Sequence, residues 1–453
     1  MSVAEAARAA NGTVRGADVR FESVSSDGRT LDRGALFVAL RGERFDGHEF
    51  IGQARERGAV AAMVQGDSGP GIQDPGIPCV IVANTLAALG RLAAHWRSRF
   101  SMPLIAVTGS NGKTTVKEMI AAILREQWGE QQTLATEGNL NNDIGLPLML
   151  LRLREQHRCA VLEMGMNHPG ETAYLADVAR PTVGVVNNAQ REHQEFMTNV
   201  AEVASEHGAL LSALPPDGIA AFNADDEFAG LWRALAGKRP VRDFGLERAA
   251  AVTGRFQLAG FGSEIVVVAP EGETRTRLSL PGVHNVRNAL AATAGATAAG
   301  AALGAVARAL SGFRAVKGRL ERKNGRRGAT VIDDSYNANP DSVCAAIEVL
   351  AHERGPRILV IGDMGEVGEQ GPALHQEAGR RARDAGIERL AGVGPLAAHA
   401  VRSFGKQATH YPDVEALVRA TQAQLGPGVT VLVKGSRFMR MERVVAALIE
   451  ETP

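Results

Sequence analysis

The chain has 453 residues, 45% of them hydrophobic and only 4% aromatic, and its 50 basic residues balance 50 acidic ones. Zero net charge argues against a nucleic-acid or acidic-membrane binder held by bulk charge. The length fits about three domains, each with enough apolar residues for its own core. Three scattered cysteines (Cys79, Cys159, Cys344) lack metal or disulfide spacing, as in a reducing cytosol, and the start of the chain does not read as a signal peptide.

In the first hundred residues, short β-type runs at 35–40, 60–64 and 79–82 alternate with Gly- and Pro-rich turns. An amphipathic helix over about 85–100 then leads to a boundary at Ser101-Met102-Pro103. From Leu104, strands at 104–107, 159–163, 182–186 and 219–222 alternate with helices, the pattern of a largely parallel sheet. A β-rich insert at about 252–280 precedes the uncharged run 289–307. That run is mostly Ala, Gly and Thr, which suits a close-packed helix pair better than a membrane span. A basic, loop-like stretch at 313–318 marks a second boundary. Beyond it, strands at 329–332, 358–361, 390–393 and 429–433 alternate with helices at 342–350, 374–385, 414–425 and 441–449. The expectation is an α/β protein of three domains: a small mixed domain (1–100), a central P-loop-type domain with a mostly parallel sheet (101–315) and a Rossmann-like doubly wound domain (316–453).

Residues 104–115 read Leu-Ile-Ala-Val-Thr-Gly-Ser-Asn-Gly-Lys-Thr-Thr, an apolar strand, a Gly-bearing loop and a helix start. Gly109 and Gly112 let the backbone approach an anion, Lys113 adds a cation, and a Thr hydroxyl can hold Mg²⁺. The common G-x-x-x-x-G-K-[ST] spacing needs Gly where this chain has Val107. Glu163 ends a strand at the edge where open α/β sheets bind ligands, and it can hold Mg²⁺ or simply face solvent. His193 follows the next strand; phosphoryl transfer gains from cations around the γ-phosphate. The polar loop 136–143 suits either recognition of ligand oxygens or an Asx cap. Asn285 and Asn288, one helical step apart, either face a ligand or cap the Ala-rich helix. Arg319 can stabilise transferring phosphate, Asp334 can accept from a ribose hydroxyl, and Lys434-Gly435-Ser436-Arg437 makes a good carboxylate site. No Ser-His-Asp or Cys-His nucleophile set stands out, so the apparatus suits positioning and charge neutralisation.

Thr108–Thr115, Glu163, His284-Asn285-x-x-Asn288 and Gly318-Arg319-Leu320-Glu321 together resemble the Mur ligases. Further stretches resemble the branch that adds D-alanyl-D-alanine: 36–40 with Asp46-Gly47-His48, Gly138-Asn139-x-Asn141-Asn142, 334–340, Gly362-Asp363-Met364-Gly365-Glu366 and 434–437. The resemblance covers essentially the whole chain. It implies an ATP-dependent amide ligase of peptidoglycan precursor synthesis, cytoplasmic and monomeric, acting on UDP-N-acetylmuramoyl-tripeptide and D-alanyl-D-alanine. By that resemblance Lys113 and the loop Thr108, Gly109, Ser110, Asn111, Gly112, Thr114 and Thr115 hold the ATP phosphates. Thr114 or Thr115 with Glu163 holds one Mg²⁺, and His193 helps hold a second. Asn285 and Asn288 face the nucleotide, with Asn288 on adenine, while Arg319 and Asp334 close over the γ-phosphate and ribose. Ser25, Arg29, Arg41, Asp46 and His48 take the UDP end, and Thr136, Asn139 and Asn142 line the path of the peptide. Tyr336, Asn337, Lys434, Ser436 and Arg437 position D-alanyl-D-alanine. One departure stands out: many relatives carry a carbamylated lysine where this chain has His207, which leaves metal ligation or packing as its role. A sister ligase of the same superfamily or a nucleotide-hydrolysing switch are the rival readings.

Overall fold

The computed structural model describes residues 1–42, 45–66 and 76–450. Residues 43–44, inside the stretch expected at the UDP end, lie outside the described residues.

The expected α/β architecture is present as three sheets with helices between them, plus a small antiparallel insert. The first sheet runs Thr13–Arg15, Cys79–Val82, Ala61–Gln65, Ala35–Val38, Ser23–Ser25, parallel except at its first strand. Its inner three strands carry the apolar runs seen in the sequence. The outer two, Thr13–Arg15 and Ser23–Ser25, are exposed or half-buried, and so have no apolar signal to disclose them.

The central sheet is parallel throughout, in the order Ile219–Phe222, Val183–Val186, Leu104–Thr108, Cys159–Glu163, Thr133–Ala135. Leu104–Thr108 is buried on both faces. Ile105 and Val107 pack towards Val116, Ile120 and the Ala-rich helix, and Leu104 and Ala106 towards Leu89, Leu92 and Leu146. Strands follow on either side of Leu104–Thr108, so the crevice at its carboxyl end is the topological switch point where such sheets take ligands. The phosphate-type loop emerges there.

The uncharged run folds as the helix Val283–Ala298 followed by Leu303–Gly312. Its small residues permit close packing: a Cβ at Gly295 would come within 2.9 Å of Val185 and 3.1 Å of Ile120. No helix of the described residues is long and apolar enough to cross a membrane. The insert is a three-stranded antiparallel sheet over Thr253–Leu258, Ser263–Ala269 and Gly272–Leu278.

The third sheet runs Glu321–Asn324, Thr330–Asp334, Thr430–Lys434, Arg357–Ile361, Arg389–Val393, Ala408–Tyr411, parallel after its first strand. Its four inner strands coincide with the apolar runs read from sequence. The polar Glu321–Asn324 and Ala408–Tyr411 are half-exposed edges, again invisible to hydrophobic patterning.

Candidate active site

Gly112, at φ +79°, caps the helix Lys113–Trp128 without any side-chain hydrogen bond to the first turn. The helix-start N–H groups are therefore free to meet an anion. A Cβ at Gly112 would lie 2.5 Å from Asn288 Oδ1 and 2.7 Å from Asn187 Nδ2, so nothing larger than glycine fits. Two further amides pin the loop: Asn111 N donates to Asn188 Oδ1 at 2.8 Å and Asn187 Nδ2 donates to the Asn111 carbonyl at 2.8 Å. Asn187 Nδ2 also reaches Asn288 Oδ1 (3.0 Å), and Asn288 Nδ2 reaches Asn285 Oδ1 (3.0 Å). This amide chain joins the loop to the start of the Ala-rich helix, and sequence reading omitted its central member, Asn187.

Lys113 Nζ donates to Glu192 Oε2 at 3.2 Å and to the Ser110 carbonyl at 3.3 Å. Burial pushes the Glu192 carboxyl up, but Lys113 and the hydrogen bond from His207 outweigh it and hold the pKa at about 2. His207 has no solvent exposure, and both its nitrogens are occupied: Nε2 lies 2.7 Å from Glu192 Oε1 and Nδ1 lies 2.9 Å from Thr108 Oγ1. It sits under the loop rather than in the cleft.

Glu163 is buried, and its Oε1 accepts from Asn141 Nδ2 at 2.8 Å. Its Oε2 is buried without any partner. An ionised oxygen left so is costly unless a cation completes it. Thr114 lines the same cavity, whereas Thr115 faces a second one, so Thr114 is the hydroxyl placed with Glu163. A hard cation with oxygen ligands fits this pair. His193 fits less well: its Nδ1 lies 2.6 Å from Glu366 Oε2 of the third domain and its Nε2 3.6 Å from Glu192.

Two cavities flank the loop, of about 570 and 310 Å³. Ser110, Lys113, Asn139, Asn142, Glu163 and His193 form one wall of the larger; Arg319, Tyr336, Asn337, Lys434, Ser436 and Arg437 form the other. Asn111, Gly112, Asn285, Asn288, Arg319 and Asp334 meet at the smaller. Arg319 bridges both: its Nη2 donates to Thr114 Oγ1 at 3.3 Å and its guanidinium stacks 4.3 Å over the Tyr336 ring. Asp334 is not free, because Lys434 Nζ donates to its Oδ2 at 2.5 Å and Leu320 N to its Oδ1 at 3.2 Å. Burial pushes Asp334 up and Lys434 down, and the contact between them opposes both shifts. Ser436 Oγ accepts from Gly365 N, and Arg437 pairs with Glu442 at 3.0 Å.

The remaining residues lie elsewhere. Thr108 and Gly109 sit behind the loop, with a Cβ at Gly109 (φ +134°) only 3.0 Å from Asn187 and Asn188. Thr136 is buried outside the cleft: its hydroxyl accepts Glu163 N–H at 2.9 Å and its carbonyl accepts from Lys117 Nζ at 2.7 Å. Asn142 Oδ1 accepts from Gly145 N at 2.9 Å, the Asx-cap option, while its side chain also borders the cleft. Ser25 and Arg29 share one turn around Asp27, which Arg29 grips through Nε and Nη2 at 3.0 and 2.9 Å. Arg41, Asp46 and His48 form another, with Asp46 taking Arg41 Nε at 3.0 Å and His48 Nδ1 at 2.5 Å. These two turns follow neighbouring parallel strands, on the first domain's edge and away from both cavities.

Three family models match the chain: Mur ligase family, catalytic domain (residues 20–97), Mur ligase middle domain (107–296) and Mur ligase, glutamate ligase domain (318–437). The UDP-N-acetylmuramoyl-tripeptide–D-alanyl-D-alanine ligase of Escherichia coli K12 is 42% identical over 97% of this chain and 96% of its own. Among solved structures, MurF from Acinetobacter baumannii superposes with TM-score 0.91 at 32% identity, covering 99% of both chains. MurF ligase from Thermotoga maritima in complex with ADP gives TM-score 0.82 at 25% identity, covering 94% of this chain and 96% of that one.

Proposed function

Since the chain belongs to the Mur ligase family, we propose that its cleft joins D-alanyl-D-alanine to UDP-N-acetylmuramoyl-tripeptide at the expense of ATP, in peptidoglycan precursor synthesis. The observation that carries this reading is the uncapped helix start beside Lys113, with the unpartnered Glu163 oxygen facing the cationic wall of the third domain.

The terminal carboxylate of the tripeptide attacks the γ-phosphorus of ATP, the bond to the bridging oxygen breaks, and ADP leaves an acyl phosphate. The amine of D-alanyl-D-alanine then attacks the acyl carbon. The tetrahedral adduct expels inorganic phosphate, and the proton lost from the amine passes to that departing phosphate as the amide forms. The first step brings two anions together, so its barrier falls only where positive charge is already arranged. Lys113, the loop N–H groups and Arg319 supply that charge. Mg²⁺, held by Thr114 and Glu163, would add neutralisation of the ATP phosphates when bound. His193, held by Glu366, serves domain contact more readily than a metal.

The smaller cavity suits the nucleoside, with Asn285 and Asn288 toward adenine and Asp334 near the ribose. Asn139 and Asn142 border the peptide path, and Tyr336, Asn337, Lys434, Ser436 and Arg437 receive the dipeptide. The turns at Ser25–Arg29 and Arg41–His48 take the UDP end. Dependence on ATP and a nucleotide-linked precursor supports the cytoplasm. The test is phosphate release with ATP and Mg²⁺, adding UDP-N-acetylmuramoyl-tripeptide and D-alanyl-D-alanine singly and together. Release should need both, and turnover indifferent to D-alanyl-D-alanine would overturn the reading.

A further inference from the structure

The loop from Thr108 to Lys113 is closed from behind by two side chains that the reaction itself does not use. Glu192, only 6% exposed, offers one carboxylate oxygen to Lys113 Nζ (3.2 Å) and the other to His207 Nε2 (2.7 Å). His207 in turn meets the Thr108 hydroxyl at 2.9 Å through Nδ1. The result is a ring: the strand ending at Thr108, the loop, Lys113, Glu192, His207 and back to Thr108. An ionised carboxylate only accepts, so the Nε2 of His207 carries a hydrogen. Its Nδ1 meets the Thr108 hydroxyl, whose single hydrogen lies between this nitrogen and the Met164 carbonyl at 3.1 Å. His207 comes from the helix Val200–Ser212 and Glu192 from the loop after Val183–Val186, so a second element holds the carboxylate that meets the ammonium.

From this we propose that Glu192 is a positioning residue for the phosphoryl-transfer step, and that His207 holds it in place. Glu192 keeps the Lys113 ammonium over the loop before nucleotide arrives, sparing the reaction the ordering of a flexible four-carbon stem. It does so at an electrostatic cost, because a carboxylate beside the phosphates weakens nucleotide binding in the ground state. Orientation and affinity are therefore opposed at this residue, and a purely structural role would not oppose them. The proposal rests on ATP being held at the Lys113 loop.

The experiment measures three quantities on the full chain: kcat in the complete ligation, ADP affinity by calorimetry without added metal and again with Mg²⁺, and melting temperature. Glu192→Gln should lower kcat at least tenfold while metal-free ADP binds as tightly as in wild type or more tightly. His207→Leu, which removes the Nε2 hydrogen, should reproduce that split. His207→Gln, whose amide can still donate to Glu192, should keep kcat within a few-fold of wild type. If Glu192→Gln does not fold, the His207→Leu and His207→Gln pair decides the matter by the same criterion. Unchanged kcat, or a parallel fall in kcat and metal-free ADP affinity, would overturn the proposal. So would a loss of ADP affinity seen only with Mg²⁺, which would make Glu192 a metal ligand. Lys113→Ala is the control: if it still turns over, the ATP site itself is misplaced; if it is inactive while Glu192→Gln is normal, only the positioning role fails.

Discussion

Between the first and second domains, Leu36, Met63 and Val80 of the first sheet share one continuous apolar core with Leu104 of the central sheet and with Leu146 and Leu175 of two helices beside it, through Leu89 and Leu92 of the connecting helix. Arg97, buried at the end of that helix, donates to the Ala179 carbonyl at 3.1 Å and to the Phe100 carbonyl. Between the second and third domains the contacts are of another kind. Arg191 pairs with Asp341 at 2.6 Å and Glu377 at 2.8 Å, the amides of Asn111 and Asn339 exchange hydrogen bonds at 3.0 and 3.3 Å, and His193 meets Glu366. Hydrogen bonds donated to Glu377 and then Asp341 raise the Arg191 pKa, so its charge is fixed. Apolar area loses its stabilisation when separated, whereas half-exposed ion pairs exchange for water at little net cost. One junction is thus a permanent seam, and the other can open to admit ligands and close to exclude water.

Changes on either side sharpen that contrast. The largest effect is expected at the polar junction's chemistry: Lys113→Ala should cost about 10²–10³-fold in kcat, as loss of a preorganised cation does, and should also lower the melting temperature because it strips the buried Glu192 of its cation. Phosphate release checks it, and near-normal turnover would refute the role. At the apolar seam, Leu92→Ala should destabilise by about 2–5 kcal/mol, with the first two domains still unfolding together in denaturant. A separate early transition of the first domain would break the comparison.

A pH effect of comparable size follows from His284, which lies at the polar junction against the third domain's Val349 side of Gly282. Burial, then Lys434 and Arg287, press its pKa down to about 4. The folded protein therefore binds fewer protons than the unfolded chain between about pH 6.5 and 4. Stability is full above that window, declines as pH falls through it by at most about 3 kcal/mol, and levels off below. His284→Gln should flatten this part of a denaturation-versus-pH curve; an unchanged slope would assign it to other groups. The smallest energetic effect belongs to Arg191→Ala, about 1 kcal/mol or less for partly exposed pairs. It should nevertheless raise the radius of gyration in X-ray scattering without nucleotide and raise the KM for ATP several-fold. An unaltered scattering curve would mean that the junction does not open.

Much of the site was legible because phosphate chemistry leaves local marks. Gly109, Gly112, Lys113 and Thr114 fall within one short loop and helix start, and Glu163 stands at a strand end that its apolar run announces. Asn187, Glu192 and the interdomain Arg191 carry no such mark. They lie in a polar segment whose only prior signal was His193, and the partners that tie them to the loop and to the third domain are 76 to 186 positions away along the chain. Thr136 shows the reverse, in which a residue beside a site is taken to face it: it supports Glu163 from behind. Asp334 does border the smaller cavity, but nothing in the sequence signals that Lys434 holds its carboxylate.

Periodicity and Gly-Lys-Thr chemistry by themselves determined the alternating α/β elements and the phosphate loop, because strand burial and anion binding depend on residues close together in sequence, while the family followed from the resemblance of motifs spread along the chain. The tertiary structure decided which threonine faces Glu163, which arginine crosses to the loop, and why His207 is not a ligand in the cleft. Those outcomes depend on the direction of side chains brought together from separate elements, and no spacing along the chain encodes that direction.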